Sequence, residues 1–112
     1  MDADEGAKRV DMILGDRHGT SCTAFITDMV DDMLQSMGYC VTRNRPYAGG
    51  FTTGHYGKPK NGVHALQIEI NRALYMDEGA ILKTDGFTKL SADIAKLIEA
   101  IAEMGRRRMV EL

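Results

Sequence analysis

At 112 residues, with a net charge of −2 and a hydrophobic share of 44%, the chain has the length of one domain or part of one and enough apolar residues for a modest core. This composition excludes a disordered tail, and the balanced charge excludes the molecule-wide field that recruits nucleic acid or an anionic membrane. No apolar run approaches the ~20 residues that span a bilayer, and the acidic start Met1-Asp2-Ala3-Asp4-Glu5 lacks the basic and apolar regions of a signal peptide, so a cytoplasmic location is expected.

Residues 1–8 are polar and are expected to be flexible. Val10 to Leu14 reads as a short strand with Val10, Met12 and Leu14 on one face. The loop GDRHGTS, Gly15 to Ser21, runs into a helix whose apolar spacing is Cys22, Phe25, Ile26, Met29, Val30, Met33, Leu34 and Met37. Thr20 or Ser21 can cap that helix and Gly38 can end it. Tyr39 to Thr42 reads as a second strand, and NRPYAGG, Asn44 to Gly50, as a turn-rich loop. Phe51 to Thr53 suggests another short strand, followed by an exposed loop, GHYGKPKNG. His64 to Ile70 alternates apolar and polar residues as a strand does, and Asn71 to Tyr75 fits a helical turn. MDEGAILKTDGFTKL is irregular, with room for one short strand. Ser91 is expected to cap a last helix with Ile94, Leu97, Ile98, Ile101 and Met104 on its buried stripe. Strands alternating with amphipathic helices predict an α/β fold, a mixed sheet flanked by helices. Two long helices do not cover both faces of such a sheet. Exposed sheet surface and self-association through it are therefore expected.

Several groups invite a chemical reading. GDRHGTS follows a strand and opens a helix, a good place for an anion. It lacks the Gly-Lys-Ser/Thr ending of a Walker loop. The plainer reading is a tight turn capped by Asp16 or Ser21; the functional one has Arg17 and free backbone N–H groups holding a substrate carboxylate. His18, His55 and His64 form no adjacent ligand pair. Of the three, His55, between Gly54 and Gly57 in a loop, is best placed to reach a ligand. Cys22 and Cys40 lack metal-type spacing and are expected to be reduced and buried. Arg106, Arg107 and Arg108 read as a solvated helix end rather than a nucleic-acid patch. Glu69 poses the sharpest question, because Leu66, Ile68 and Ile70 alternate with Gln67, Glu69 and Asn71. An acid there is an ion-pair partner of Arg72 or another arginine, a member of a solvated sheet face, or a general base beside a reacting water.

Three segments, LGDRHGTSC, NRPYAGGFTTGHYGKP and GVHALQIEINRALYMDE, together resemble the C-terminal half of the N-formylglutamate amidohydrolases, from about Asp11 to the end of the chain. The resemblance implies hydrolysis of N-formyl-L-glutamate to formate and L-glutamate in histidine degradation. It also implies a three-layer fold like that of the zinc carboxypeptidases (phosphorylase/hydrolase-like). Under it, Glu69 matches the family's QIEI glutamate and takes the base role. Arg17, Asn44, His55, Asn71 and Arg72 match recurrent polar positions that shape the substrate pocket. The family's zinc-binding histidine and acidic motifs lie in its N-terminal half and would fall before Met1. The expectation is thus a fragment, residues 9–112 being the C-terminal half of an amidohydrolase-like domain. No metal ligand is expected among its residues, no zinc bound by the chain alone, and no activity in isolation. The expected partner is a small molecule, an N-acylated acidic amino acid. The alternatives are a non-catalytic carboxylate-binding or interaction module derived from the same fold, and another zinc acyl-hydrolase of that fold.

Overall fold

The computed structural model describes residues 9–77, 82–83 and 85–111. The expectation of a flexible stretch over residues 1–8 lies outside these, as do the side chains of Arg107 and Arg108. The chain divides into two compact units, 1–71 and 72–112.

The first unit is built on a three-stranded sheet in the order β2-β1-β3. β1 (Met12–Gly15) is central, β2 (Val41–Arg43) runs parallel to it and β3 (Gln67–Ile70) antiparallel. The sheet is therefore mixed, and with its helices the unit is α/β. A parallel neighbour needs a crossover, and α1 (Ala24–Ser36) supplies it between β1 and β2. All four residues of β1 are buried, Met12 and Leu14 completely, as suits a central strand covered on both faces. The β1–β3 register pairs Met12 with Ile70, Ile13 with Glu69, Leu14 with Ile68 and Gly15 with Gln67. Opposed residues share a face. One face thus carries Ile13, Gly15, Gln67 and Glu69, and the other Met12, Leu14, Ile68 and Ile70.

On the Leu14 face, Ile26, Thr27, Val30 and Leu34 of α1 are buried. Arg43, opposite Leu14 on β2, reaches up to that helix. Its guanidinium pairs with Asp28 at 2.6 Å and with Asp31 at 2.7 Å. α1 starts later than its apolar spacing suggests. Thr23 stands at the N-cap position, so Cys22 precedes the helix. Neither Thr20 nor Ser21 caps it, because the Thr20 hydroxyl donates to the Arg17 carbonyl and the Ser21 hydroxyl to the Ala65 carbonyl. Instead, the Thr23 N–H donates to His64 Nδ1 at 3.3 Å, so a distant imidazole serves the helix start. Gly38 closes the helix in left-handed conformation, at φ +99°. Tyr39 and Cys40 lie outside β2; the Cys40 N–H goes to the Asp11 carboxylate at 2.8 Å and the Asp11 N–H to the Cys40 carbonyl at 2.9 Å. Both cysteines are free, Cys22 buried and Cys40 half-buried.

Phe51–Thr53 is not a strand. Phe51–Tyr56 forms a short helix, α2, which takes in the first three residues of the expected exposed loop. Its threonines favour strands by propensity, but tertiary contacts decide. Thr53 is buried, the Gly50 N–H is engaged by Gln67, and Phe51 stacks on His55 one turn later at 5.1 Å. A 3-10 turn over Pro59–Asn61 follows, ended by Gly62 at φ +77°.

The second unit opens with the 3-10 turn Arg72–Leu74, where a helical turn is expected. Met76–Asp77 (β4) and Leu82–Lys83 (β5) pair as a two-stranded antiparallel ribbon. α3 spans Asp85–Glu111, so Ser91 lies inside the helix rather than capping it. Asp85 in the first turn suits the macrodipole, and Lys89 pairs with Asp93 at 2.6 Å one turn on. Leu90 and Leu97 are buried, and Ile94, Ile101 and Met104 half-buried. Ile98 departs from the expected stripe, being 60% exposed. Arg106 pairs with Glu103 at 2.7 Å on the solvated side of the helix. Among the described residues no helix is long and apolar enough to cross a membrane.

Candidate functional site

The site is assembled on the Gln67–Glu69 face and at the end of β1. Gly15 is the last residue of β1, and it is glycine for a steric reason. A Cβ there would lie 2.7 Å from both the carbonyl carbon and the oxygen of Ala48. The Ala48–Gly49 peptide therefore lies directly on the strand. The Arg17 N–H donates to the Ala48 carbonyl at 2.8 Å, and the Gly50 N–H donates to Gln67 Oε1 at 2.8 Å. With Oε1 occupied in this way, and also approached by the Thr53 hydroxyl at 3.4 Å, the amide orientation of Gln67 is fixed. Its Nε2 must face the other way, where it donates to Glu69 Oε1 at 3.1 Å. Glu69 is exposed and forms no ion pair among the described residues. One carboxylate oxygen is held by an amide, and the other has no hydrogen-bond partner among the described residues.

Asp16 organises the loop after β1. Its carboxylate is buried and accepts three hydrogen bonds, from Asn44 Nδ2, the Gly19 N–H and the Thr27 hydroxyl, each at 2.9 Å. Burial alone would push this carboxyl upward. The hydrogen bonds from Asn44, Gly19 and Thr27, together with the charge of Arg43, outweigh it and hold the group below its ordinary value. Asn44 Oδ1 in turn accepts from the backbone N–H groups of Asp16 at 3.2 Å and His18 at 3.3 Å. This bracing holds a run of left-handed residues: Arg17 at φ +49°, His18 at +56° and Gly19 at +85°. Side chains other than glycine resist that conformation at a cost of about 1–2 kcal/mol each. Asn44, itself at φ +58°, is of the residue type that tolerates it best.

Glu69 lies on β3, Arg17 and Asn44 in the loops after β1 and β2, and His55 in α2, and they differ in what they offer. Asn44 shapes the loop, its oxygen and its amide both engaged with residues 16–18. Arg17 is exposed, donates from Nη1 to the Gly49 carbonyl at 3.1 Å, and forms no ion pair among the described residues. His55 is in α2 rather than a loop, with Phe51 stacked on it and Tyr56 edge-on at 4.7 Å. Asn71 is placed at the other end of β1. Its N–H donates to the Asp11 carbonyl, its Nδ2 to the Val10 carbonyl at 3.1 Å, and its Oδ1 accepts from Arg9 at 3.2 Å. The structure thus does not bring Asn71 to Arg17 and Asn44. Arg72 is exposed at the start of the second unit.

The described residues do not make a zinc site, since no three His, Cys, Asp or Glu side chains among them stand close enough together to hold a metal. His64 Nδ1 is already occupied by the Thr23 N–H. Two residues that matter here were invisible as site residues in the sequence. In the residue pattern Gln67 is only a polar neighbour of Glu69, and Asp16 only a turn or cap residue. The available signals were the amide two positions before the acid and an aspartate at a strand end.

The family model of N-formylglutamate amidohydrolase matches residues 1–76, more than half of the chain. The chain belongs to the N-formylglutamate amidohydrolase family. Among curated relatives, N-formylglutamate deformylase of Pseudomonas aeruginosa is 34% identical over 101 residues, covering 88% of this chain and 38% of its own. The N-formylglutamate deformylase of Pseudomonas putida is 33% identical over 72 residues, covering 63% of this chain and 27% of its own. The crystal structure of N-formylglutamate amidohydrolase from Ralstonia eutropha superimposes with a TM-score of 0.85 at 41% identity, covering 91% of this chain and 36% of that one. This amidohydrolase-family chain therefore spans less than two-fifths of the length of these relatives. Asp16, Arg17, Asn44, His55, Gln67 and Glu69 all fall within the part that matches the family.

Proposed function

We propose that the chain supplies the carboxylate-binding and proton-abstracting part of an enzyme that hydrolyses N-formyl-L-glutamate to formate and L-glutamate, in cytoplasmic histidine degradation. The observation that carries the reading is Glu69, an exposed carboxylate on a β-strand with one oxygen fixed by Gln67. Its other oxygen accepts a proton from water as that water attacks the formyl carbon. Collapse of the adduct breaks the C–N bond, and the proton passes to the departing amine. Arg17 receives a substrate carboxylate, for which a guanidinium presents a matching fork of donors. Asn44 and Asp16 hold the loop that carries it, and His55 borders the pocket from α2.

We read the sheet as part of a three-layer, zinc-carboxypeptidase-like fold. A zinc ion acts as a Lewis acid in such enzymes. In this reading its ligands belong to the larger part of the family that this chain does not match, and the chain by itself is expected neither to bind zinc nor to turn over substrate. The same reading expects the isolated chain to self-associate.

A second reading, a non-catalytic carboxylate-binding or interaction module, draws on the donor set, in which no metal-holding cluster stands among the described residues. A chimera separates the two. In it, the chain replaces the 101 residues it matches in the Pseudomonas aeruginosa deformylase. The enzymatic reading expects formate release, abolished by Glu69→Gln with substrate binding retained. A folded chimera that binds N-formyl-L-glutamate without releasing formate would leave the module reading standing.

A further inference from the structure

We propose that Gly54 is a positioning residue, its missing side chain forming the seat on which the Arg17 guanidinium lies. The inference deepens the reading of Arg17 as a carboxylate-binding group and rests on it. Gly54 sits inside α2, with its N–H donating to the Gly50 carbonyl at 3.2 Å, and its backbone is not left-handed. Such a site favours alanine over glycine, so the glycine needs another cause. A Cβ at Gly54 would lie 2.8 Å from Nε, 3.0 Å from Cδ and 3.1 Å from Cζ, all three atoms belonging to Arg17. Gly49 completes the seat. A Cβ there would stand 3.1 Å from Arg17 Cγ, and its carbonyl accepts from Arg17 Nη1 at 3.1 Å.

An exposed arginine ordinarily samples many rotamers and must be ordered on binding. Here two glycines and one carbonyl hold it in advance. The remaining N–H groups of the guanidinium, Nε and Nη2, make no hydrogen bond among the described residues. They form the edge that a carboxylate oxygen pair would meet.

The test is Gly54→Ala in the full chain, read in two ways and compared with wild type and Arg17→Met. Nitrogen NMR of the guanidinium reports the seat without any ligand. Wild type is expected to show slowed rotation about the Arg17 Nε–Cζ bond, and Gly54→Ala the averaged signals of a free arginine. Calorimetry with N-formyl-L-glutamate is expected to show binding about tenfold weaker in Gly54→Ala, one charge-assisted hydrogen bond being worth at least that. Thermal stability should be unchanged or raised. Unaltered Arg17 signals and affinity in Gly54→Ala would overturn the seat, and so would a failure to fold, which would mean that rigid structure rather than Arg17 fills the space. Wild type that binds no ligand, or binding untouched by Arg17→Met, would sink the carboxylate-binding role while the NMR arm still decides the seat.

Discussion

Replacing Asp16 should destabilise the first unit in two distinguishable steps. Asp16→Ala removes the acceptor of three donors, Asn44 Nδ2, the Gly19 N–H and the Thr27 hydroxyl, at a buried position. Each buried donor left unpaired costs about 1–3 kcal/mol, though the loop can relax to re-solvate the Gly19 N–H. A total of about 3–5 kcal/mol follows, a large share of what a domain of this size possesses. Asp16→Asn is gentler. Its amide oxygen can keep Asn44 and Gly19, and the Thr27 hydroxyl can turn to the Thr23 carbonyl, 3.4 Å away. Only the charge assistance is lost, about 1–2 kcal/mol. Urea unfolding at pH 7 measures both, provided the slope with denaturant stays constant. The pH dependence supplies a second check. The folded-state pKa of Asp16 lies below its unfolded value. Between those values the unfolded chain binds more protons than the native one, so stability rises with pH. The contribution is complete above about pH 4 and is lost as pH falls through the folded value. Asp16→Asn should abolish that contribution. Equal losses from the two variants, or an Asp16→Ala loss under about 1 kcal/mol, would refute the claim that this carboxylate braces the loop.

Two further outcomes follow from the same geometry. Gly15→Ala forces a Cβ to within 2.7 Å of the Ala48 carbonyl, which is backbone and cannot swing aside; overpacking of this kind costs about 1–3 kcal/mol, and a calorimetric melt that matches wild type would show that the loop does not lie on the strand. Burial pushes the Cys22 thiol up, with the Asp16 charge adding to it and a hydrogen bond with Thr27 opposing it, whereas Cys40 is only half-buried. Iodoacetamide on the native chain at pH 8 should therefore label Cys40 well before Cys22, and mass spectrometry finding Cys22 first would contradict that burial.

How much of this was legible in the residues depends on the distance over which each feature is determined. The apolar run of β1 could be read directly, although the strand begins at Met12 rather than Val10, and so could the inward stripe of Ile26, Val30 and Leu34, although Phe25, which shares its spacing, is exposed. The start of α1 could not, because its first N–H is served by His64, a residue forty-one positions away. α2 defied local propensity. Its threonines argue for a strand, and only the closing of Gly50 onto Gln67 and the stacking of Phe51 on His55 make a helix there. Spacing alone points Ile98 inward, yet its neighbours Leu97 and Ile101 take the inner positions.

The site divides along the same line. The place of Glu69 on the polar side of β3 follows from strand alternation, but its exposure does not, because Ile13, opposite it on the same face, is buried. Its orientation does not follow from the strand. A glutamine amide is symmetrical enough to present either end, and the choice is made by the Gly50 N–H, which claims the oxygen and leaves only the amine for Glu69. The glycines at 15, 49 and 54 carry information of the same kind. Their composition marks a loop, but what each one makes room for, the Ala48 peptide at one and the Arg17 side chain at the other two, is set by chain segments that meet only in the fold. Residue types thus single out the acid and the arginine as candidates. The device that aims them consists of a bare backbone and one amide, features whose sequence signature is the absence of a side chain or a residue that looks merely polar.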